Sequence, residues 1–571
     1  MKIKRINLII FLAAVIIIQG CFSGIKAQGS QVKIYAIQGE QHQTPYLDKT
    51  VTTTGIVTAI ASNGFYLQDS IGDKNNLTSD GIFVFTRTNP RSIKQGDLVE
   101  VTGKVNEFIP KPNNLSVTNL ADNPRFKIVS RDHDLPMGII LGINERQPPT
   151  EVIDDDNFAV FDPDTDGVDF YETLEGMRVI VQDALAVSSN NSFGEIYTVV
   201  DGGINATGIS ERGTINININ DYNPERIQID DQSPISPKET PTVKVGDRLG
   251  DVTGIVSYNF GNYEVIATDS TAPRQIDLQP EITELIPTSE ALTIASYNVL
   301  NLAPDNPQEK FEAIAKQIIT NLRTPDIIAL QEIQDNSGAL DDGVVDASQT
   351  YETLIAAIIN QKGVKYNYLD IPPSNGSDGG QPGGNIRVGY LYNPARVELI
   401  TDSVERIETD AFVDTRKPLI ATFRFNNNNI TVINNHLTSK GGSSPLFGQI
   451  QPPINNNQET REAQTEAINN YVKTILLQNP QAKLVVLGDF NEFEFLPPLT
   501  QLTTLANLTE TLPENERYTY IFEGNSQAID HILVNPSLLP ITTYDIVHTN
   551  VEFSELVSDH EPVICRIILT S

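Results

Sequence analysis

The sequence has few cysteines and no long apolar segment beyond its amino terminus. Only two cysteines occur, Cys21 and Cys565. Because Cys21 falls in a leader-like segment, the sequence excludes a disulfide framework in the mature protein. Cys565 lies in the apolar run PVICRIIL, which is typical of an ordinary core residue. No stretch after the leader is long and apolar enough to predict a transmembrane helix.

Positive charge is also scarce. The chain has 40 Lys and Arg against 73 Asp and Glu, which gives a formal net charge of −33. This balance argues against tight passive binding of nucleic acid by bulk electrostatics. It does not exclude an enzyme that acts on nucleic acid, because bound metal ions and a few placed basic side chains can create a local positive site. The 571 residues predict two to four domains, and a hydrophobic content of 39% supplies packed cores.

Residues 1–27 are predicted to be an export signal. A basic start, KIKR, precedes an apolar run over 8–18 that is too short to span a bilayer comfortably. The segment IQGC resembles a bacterial lipoprotein box, which would give a lipid anchor through Cys21. The segment IKA, ending at Ala27, would instead suit ordinary cleavage and release. The expected location is therefore secreted, extracellular or periplasmic, with an outer-surface lipoprotein as the alternative.

Two all-β domains are predicted after the leader, over 31–135 and 136–282. Short alternating or β-branched runs are separated there by Gly, Asn, Asp and Pro. The phrase QGDLVEVTGKV at 95–105 recurs as VGDRLGDVTGIV at 245–256. Such internal similarity indicates two related β modules, in which Gly-Asp forms a turn into a strand.

Aromatic side chains alternate in the first β domain. Phe65, Tyr66, Phe83 and Phe85 could stack against the bases of a single strand, as aromatics do in OB barrels. Alternating aromatics in strands are, however, usually core residues, so both interpretations stay open.

The acidic segment DPDTDGVD at 162–169 matches the first positions of an EF-hand calcium loop. The bidentate Glu expected at loop position 12 is replaced by Thr173, although Glu172 and Glu175 lie nearby. A solvated acidic turn is the alternative interpretation.

The pattern of apolar and polar residues changes at about residue 290. Apolar strands such as LTIASYNVL and KLVVLGDF alternate with helical patterns at about 308–322, 349–361 and 458–477. This alternation predicts an α/β domain over 290–571.

Polar residues of a few types follow the predicted strands of this domain. In chain order they are Asn298, Glu332, His436, Asp489, Asn491, Asp530, Asp559 and His560. Phosphodiester hydrolysis needs a cation on the phosphate, an oriented water that loses a proton, and a stabilised leaving oxygen. Asn and Glu oxygens suit Mg²⁺, carboxylates accept protons, and histidines move protons near neutral pH. The ordered series therefore predicts a phosphodiesterase site.

This ordered series resembles the endonuclease/exonuclease/phosphatase superfamily, which includes deoxyribonuclease I and exonuclease III. The resemblance covers essentially 291–571 and implies a four-layer α/β/β/α sandwich with Mg²⁺ or Mn²⁺ as cofactor, Ca²⁺ being a further candidate. The preceding β region resembles the OB-like module of bacterial extracellular nucleases. The resemblance assigns Asn298, Glu332 and Asp559 to the metal, Asp489 and Asn491 to the attacking water, Asp530 to the support of His560, and His436 and His560 to the scissile phosphate.

Basic residues near these motifs extend the predicted site. Arg387 and Arg416 lie where the resemblance implies phosphate-contacting or structural arginines. Lys440 and Arg461, in and after a long Gly/Pro loop, could contact a nucleic-acid backbone. The sequence carries Ile386 where deoxyribonuclease I has a carboxylate that supports its first catalytic histidine, so the group that orients His436 is left open.

The leading hypothesis is an exported metal-dependent nuclease that hydrolyses DNA, with RNA as a second candidate substrate. A phosphatase, or a phospholipid or sphingolipid phosphodiesterase, would use the same residues. A catalytically dead binding protein is the third interpretation, against which the intact series argues. No obligate protein partner is evident from the sequence.

Overall fold

The computed structural model describes residues 30–570. The predicted leader, with Cys21 and Ala27, lies outside the described residues. Within 30–570 no helix is both long enough and apolar enough to cross a membrane. The described chain is rich in β structure and is divided among several sheets with separate cores, as the multidomain prediction requires.

The first β domain is a closed sheet with one short helix. Its elements are β1 (Ser30–Gln31), α1 (Ile34–Gln38), β2 (Thr50–Ile60), β3 (Gly64–Gln68), β4 (Gly81–Phe85), β5 (Leu98–Phe108) and β6 (Val117–Ser130). The sheet order β2-β3-β4-β6-β5 closes through pairing of β5 with β2. Closure removes the exposed strand edges and encloses an apolar core that contains Phe65.

The second β domain repeats this arrangement. Its elements are β7 (Ile139–Leu141), α2 (Gly167–Glu172), β8 (Arg178–Ala186), β9 (Ile196–Val199), β10 (Ile215–Asn216), β11 (Ile227–Asp230), β12 (Arg248–Asn259) and β13 (Asn262–Ala267). The order β8-β9-β11-β13-β12 closes through pairing of β12 with β8. The helices α1 and α2 were missed by the all-β prediction.

The repeated sequence phrase has the same local structure in both domains. Gly96 and Gly246 have positive φ angles of 81° and 83°, which glycine adopts without steric cost. The next residue, Asp97 or Asp247, accepts a hydrogen bond from the backbone N–H three residues before it. Each turn leads into the strand, β5 or β12, that closes its sheet. The two copies of the phrase therefore share this local geometry, and the relation of the two modules to each other stays a prediction.

The third part of the chain is an α/β domain. Its elements are β14 (Ala291–Leu302), α3 (Gln308–Lys316), β15 (Ile327–Ile333), α4 (Ser348–Asn360), β16 (Asn367–Asp370), β17 (Arg387–Tyr392), β18 (Glu398–Arg406), β19 (Leu419–Phe425), β20 (Asn428–His436), α5 (Gln458–Gln478), β21 (Lys483–Asp489), α6 (Pro497–Thr500), β22 (Ala506–Asn507), β23 (Tyr520–Phe522), β24 (Asn525–Gln527), β25 (Asp530–Val534), β26 (Thr542–Ile546) and β27 (Val563–Ile568). The three predicted helices correspond to α3, α4 and α5, and α3 continues into a π-helical turn over Gln317–Asn321.

Two six-stranded sheets form the centre of this domain. Their orders are β16-β17-β15-β14-β27-β26 and β18-β19-β20-β21-β25-β22. One apolar cluster, which includes Cys565, lies between the sheets. A second cluster joins the first sheet to α3 and α4, and a third joins the other sheet to α5. Apolar side chains on both faces of each sheet explain why the strands read as continuous hydrophobic runs.

The second β domain is joined to the α/β domain by a shared sheet. Strand β10 pairs in parallel with β24, which in turn pairs with β23. The Nε atom of Arg212 donates to the Glu552 carboxylate at 2.7 Å. From the loop between β20 and α5, Phe447 inserts into the core of the second β domain. The loop that begins after His436 is therefore held by the β domain as well as by its own strand ends.

Candidate active site

The predicted catalytic side chains meet where strands of the two facing sheets end. Asn298 and Glu332 lie late in β14 and β15 of one sheet. In the other sheet His436, the last residue of β20, is opposite Asp489, the last residue of β21. Asp489 is in turn opposite Asp530, the first residue of the antiparallel β25. The sheet register alone thus places His436, Asp489 and Asp530 side by side.

Asn298 connects the two sheets within the site. Its Nδ2 atom donates to Glu332 Oε1 and to Asp489 Oδ2, both at 3.1 Å. Asn298 is fully buried, and Asp489 is almost so. Two carboxylates from different sheets therefore accept hydrogen bonds from one amide group. Their oxygens are close enough together for a single cation to bind both.

The backbone around these residues departs from regular strand geometry. Leu300 and Asn301 have positive φ angles of 50° and 49°, and Glu332 has one of 62°. The register of β14 against β15 shifts after Asn298. The irregularity turns the Asn301 N–H towards Glu332 Oε2, at 2.9 Å. Strained backbone of this kind is found preferentially at functional sites.

His436 lies beside both carboxylates. Its Nε2 atom is 3.4 Å from Asp489 Oδ2 and 3.9 Å from Glu332 Oε1. Burial, followed by the positive charge of Arg416, lowers the pKa of His436 well below its usual value. Its Nδ1 atom is buried and has no hydrogen-bond partner among the described residues. The supporting carboxylate that the sequence lacks is therefore not replaced from elsewhere in this part of the chain.

His560 is held by a buried carboxylate. Its Nδ1 atom donates to Asp530 Oδ2 at 2.7 Å, and its Nε2 atom is 3.8 Å from Asp489 Oδ2. Burial disfavours the protonated imidazole, but the carboxylates of Asp530 and Asp489 outweigh it and raise the pKa of His560 well above its usual value. Burial also raises the pKa of Asp489 to about 7. The two histidines therefore differ in charge near neutral pH, His436 being neutral and His560 protonated.

Asn491 is fixed by the turn that follows β21. Its φ angle is 51°, and its backbone N–H donates to Asp489 Oδ1 at 2.8 Å. Its Nδ2 atom donates to the Leu437 carbonyl at 3.2 Å. The side chain thus ties Asp489 to the loop after His436.

The segment before His560 is attached to β14. Ser558 Oγ donates to the Asn298 carbonyl at 2.7 Å and accepts from the His560 N–H at 3.2 Å. Asp559 lies between them, and its Oδ1 atom is buried without a hydrogen-bond partner among the described residues. A buried carboxylate oxygen without a hydrogen-bond partner is costly unless a cation neutralises it. Sequence reasoning missed Ser558, because a serine is a common loop residue.

The two predicted arginines lie in different surroundings. Arg416 donates to the Leu437 carbonyl at 2.6 Å, and its buried Nε atom has no partner in the described chain. Burial lowers the pKa of Arg416, while the nearby Asp489 and Glu332 carboxylates oppose that shift. Arg387 instead contacts Asp370, at 3.2 Å, and the carbonyl groups of Asn385 and Val345. The structure thus brings Arg416, but not Arg387, into contact with the loop after His436.

Of the two basic residues proposed at the long loop, only Lys440 borders the site. Its Nζ atom donates to Gln527 at 2.8 Å and lies 3.6 Å from the centroid of the Phe493 ring. Burial lowers the pKa of Lys440 to about 7. Arg461 is fully buried and pairs with Glu492 at 2.8 Å, so the expectation that it contacts a nucleic-acid backbone is wrong. The sequence alone does not distinguish an arginine that faces solvent from one that is buried against the domain, when it lies in a helix after a loop.

Tyr520 is a further aromatic side chain at the site. Its ring centroid is 5.0 Å from that of His560. Burial and the nearby carboxylates, chiefly Asp559, raise its pKa, so the hydroxyl stays protonated. No sequence motif pointed to Tyr520, because β23 is a three-residue strand whose position is set by pairing with β24.

The donor set fits a hard divalent cation. Glu332, His436 and Asp489 each offer an atom within 4.8 Å of the other two, and so do Asp489, Asp530 and His560. Oxygen donors dominate, as Mg²⁺ and Mn²⁺ require. Asp559 Oδ1 has no hydrogen-bond partner among the described residues, and burial disfavours the ionised form of Asp489, so a cation would stabilise both carboxylates.

The acidic segment at 162–169 forms a second cluster of carboxylates. Asp162, Asp166 and Asp169 each bring one oxygen within 4.8 Å of the others. Asp169 lies 2.5 Å from His42 Nε2, while Glu172 accepts a hydrogen bond from Tyr263 instead of facing the cluster. The cluster thus has an imidazole with a raised pKa beside it, held by the Asp169 carboxylate, which favours the acidic-turn interpretation over a calcium loop.

Comparison with known families agrees with the geometry. Residues 295–560 match the model of the Endonuclease/Exonuclease/phosphatase family. This part of the chain is therefore a domain of that family, as the ordered motifs predicted. Residues 140–276 match a family described as a domain of unknown function (DUF8508). No curated protein matches the chain.

Several solved structures are similar to about half of the chain. Truncated TDP2 of Caenorhabditis elegans is 16% identical, with 49% of this chain and 98% of that chain covered and a TM-score of 0.35. Danio rerio TDP2, solved with a single-strand DNA product, is 18% identical, with 48% and 98% covered and a TM-score of 0.33. The human Nocturnin catalytic domain is 17% identical, with 51% and 95% covered and a TM-score of 0.33.

Proposed function

We propose that the α/β domain is a divalent-metal-dependent phosphodiesterase that hydrolyses DNA, with RNA as a second candidate substrate. The observation that carries the proposal is the convergence of Glu332, Asp489 and the Asp530–His560 pair around Asn298, where strands of two sheets end. These groups supply what in-line attack of water on phosphorus requires.

Metal binding falls to the oxygen donors. Asn298, Glu332 and Asp559 would hold Mg²⁺ or Mn²⁺. When bound, the cation neutralises charge on the phosphate and its developing transition state. Asp559 Oδ1 has no hydrogen-bond partner among the described residues, so a bound cation would satisfy it.

Asp489 and Asn491 orient the attacking water. With a pKa raised to about 7, Asp489 is a competent acceptor for a water proton near neutral pH. The Asn491 N–H donates to Asp489 Oδ1 at 2.8 Å. The other oxygen, Oδ2, faces Asn298 within the site.

The two histidines contact the scissile phosphate in different charge states. Protonated His560, supported by Asp530, stabilises negative charge and can donate a proton to the leaving oxygen. Neutral His436 donates a hydrogen bond to a phosphate oxygen. Arg416, which contacts the same loop, contributes fixed positive charge, and Arg387 is retained as a candidate phosphate contact through the family resemblance.

Two features favour DNA as the substrate: the two β domains, and the Lys440 side chain next to the active site. Each β domain closes as a five-stranded sheet in the order expected for an OB-like barrel. Lys440, on the long loop that Phe447 anchors, lies near enough to Asp489 for that carboxylate to act on its pKa. We therefore infer OB-like modules that position the substrate beside a four-layer α/β/β/α sandwich.

Digestion of supercoiled plasmid tests the proposal. With Mg²⁺, purified protein should nick the plasmid; EDTA or His560→Ala should abolish nicking, whereas the exposed His133→Ala should not. If circular DNA stays intact, linear DNA, RNA and sphingomyelin are tested next under the same conditions. Hydrolysis of sphingomyelin alone would assign the site to the phospholipid or sphingolipid phosphodiesterases instead.

Export is part of the proposal, on the basis of residues 1–27. The mature protein would be released after cleavage next to Ala27 or anchored through a lipidated Cys21. Mass spectrometry of the mature amino terminus distinguishes the two, and an intact Met1 would contradict export.

A further inference from the structure

A cleft of about 350 Å³ lies between the two β domains, away from the strand ends of the α/β domain. Strands β3, β4, β5 and β6 form one wall, and β12 and β13 form the other. The volume is within the range of small-molecule sites, roughly 300–1,000 Å³. The walls are fixed to each other, because Glu175 of one domain accepts hydrogen bonds from Gln38 and the Thr118 N–H of the other.

Aromatic rings line the cleft. Tyr66 packs against Phe83 with ring centroids 4.8 Å apart, and its hydroxyl reaches Ser257 of the second domain at 3.3 Å. Phe108 is 53% exposed at the rim, at the end of β5. An exposed ring beside a preformed pocket offers a flat apolar face at low cost in conformational entropy.

The polar lining is neutral or acidic. Asn119 is buried, and its Oδ1 atom has no hydrogen-bond partner among the described residues. Asp122 and the buried Glu264 add carboxyl groups, and no Lys, Arg or His lines the cleft. The cleft therefore offers an anionic ligand no positive charge, so a phosphate-bearing strand is disfavoured.

We propose that this cleft binds a neutral saccharide of one or two sugar units. A pyranose ring has an apolar C–H face, which stacks on Phe108 or Phe83, and an edge of hydroxyl groups. Amide and carboxyl oxygens accept hydrogen bonds from adjacent hydroxyls, and a sugar hydroxyl would give Asn119 Oδ1 the donor that the protein does not supply. A sugar carries no charge, so the acidic lining does not oppose its entry.

Binding is measured by saturation-transfer NMR and calorimetry on the purified protein. The probes are cellobiose, maltose, lactose and N,N′-diacetylchitobiose, with dodecathymidylate as the nucleic-acid comparison. At least one disaccharide should bind with a Kd of about 1 mM or lower. Phe108→Ala should weaken that binding by about tenfold. Phe193→Ala, which removes an exposed ring outside the cleft, should leave binding unchanged.

A second variant separates binding from folding. Asn119→Leu removes an oxygen that has no protein partner, so it should not lower the thermal unfolding temperature, yet it should weaken the saccharide by at least about fivefold. Lack of binding by all four disaccharides would overturn the proposal. So would disaccharide binding that neither variant alters, or Phe108-dependent binding of dodecathymidylate alone, which would assign the cleft to single-stranded nucleic acid.

Discussion

The Nδ1 atom of His560 lies 2.7 Å from Asp530 Oδ2, with both side chains buried. This contact joins the last motif of the chain to a strand that starts thirty residues earlier. It fixes the orientation of the ring, so that Nε2 faces Asp489 Oδ2, 3.8 Å away. The imidazole therefore has a supporting carboxylate on one side and the reacting centre on the other, an arrangement that serves proton transfer.

Replacement of Asp530 by Asn should change the pH profile of hydrolysis. The raised pKa of His560 keeps the ring protonated at neutral pH, and that state is lost as the pH rises through this pKa. Without the Asp530 charge the pKa falls, so the basic limb of kcat/KM should move at least about one unit to lower pH. Asp402→Asn, at an exposed position of the same domain, should leave the limb in place. An unshifted limb in Asp530→Asn would contradict a protonated His560.

Replacement of Glu332 by Gln should separate metal binding from folding. Glu332 lies beside Asp489, and the two share the Asn298 amide. The neutral side chain keeps one acceptor but removes a metal ligand, so Mn²⁺ affinity should fall by at least about tenfold. The same substitution should change the unfolding temperature of the metal-free protein little, because a repulsion between carboxylates is also removed.

Calorimetric titration with Mn²⁺ checks this expectation, with Glu309→Gln on the exposed face of α3 as the control. A variant that retains full Mn²⁺ affinity would remove Glu332 from the metal site.

The sequence predicted best what is set by local pattern. The helices expected at 349–361 and 458–477 correspond to α4 and α5 within one residue at each end, because apolar period and boundaries are local properties. The strand-end residues also come together as the motif series indicated, although their roles in hydrolysis stay predictions. Tyr520 and Ser558 could not be anticipated, because their positions depend on pairing between segments far apart in the chain.

The environment of the charged residue Arg461 could not be predicted from local sequence pattern either. Its guanidinium is fully buried and contacts Glu492, Asn455 and two backbone carbonyls. Arg461→Met should leave the Glu492 carboxylate buried without its partner, at a cost of about 3–5 kcal/mol in the free energy of unfolding. The double variant Arg461→Met with Glu492→Leu should recover a large part of that loss. Urea unfolding of both variants tests the pair; equal destabilisation in the two would contradict a compensated buried charge.

Phe447 couples the long loop after His436 to the second β domain. Its ring lies 2% exposed in that domain's core, and the Phe447 carbonyl accepts a hydrogen bond from Tyr258 at 2.6 Å. Phe447→Ala should cost about 3–5 kcal/mol through the cavity it leaves, whereas Phe447→Leu should cost about 1–2 kcal/mol. Because Lys440 belongs to the same loop, the Ala variant should raise KM for DNA more than it lowers kcat. The same variant should be cleaved faster by a protease between Lys440 and Asn457. A loop equally protected in both variants, with KM unchanged, would show that the β domain does not hold the mouth of the site.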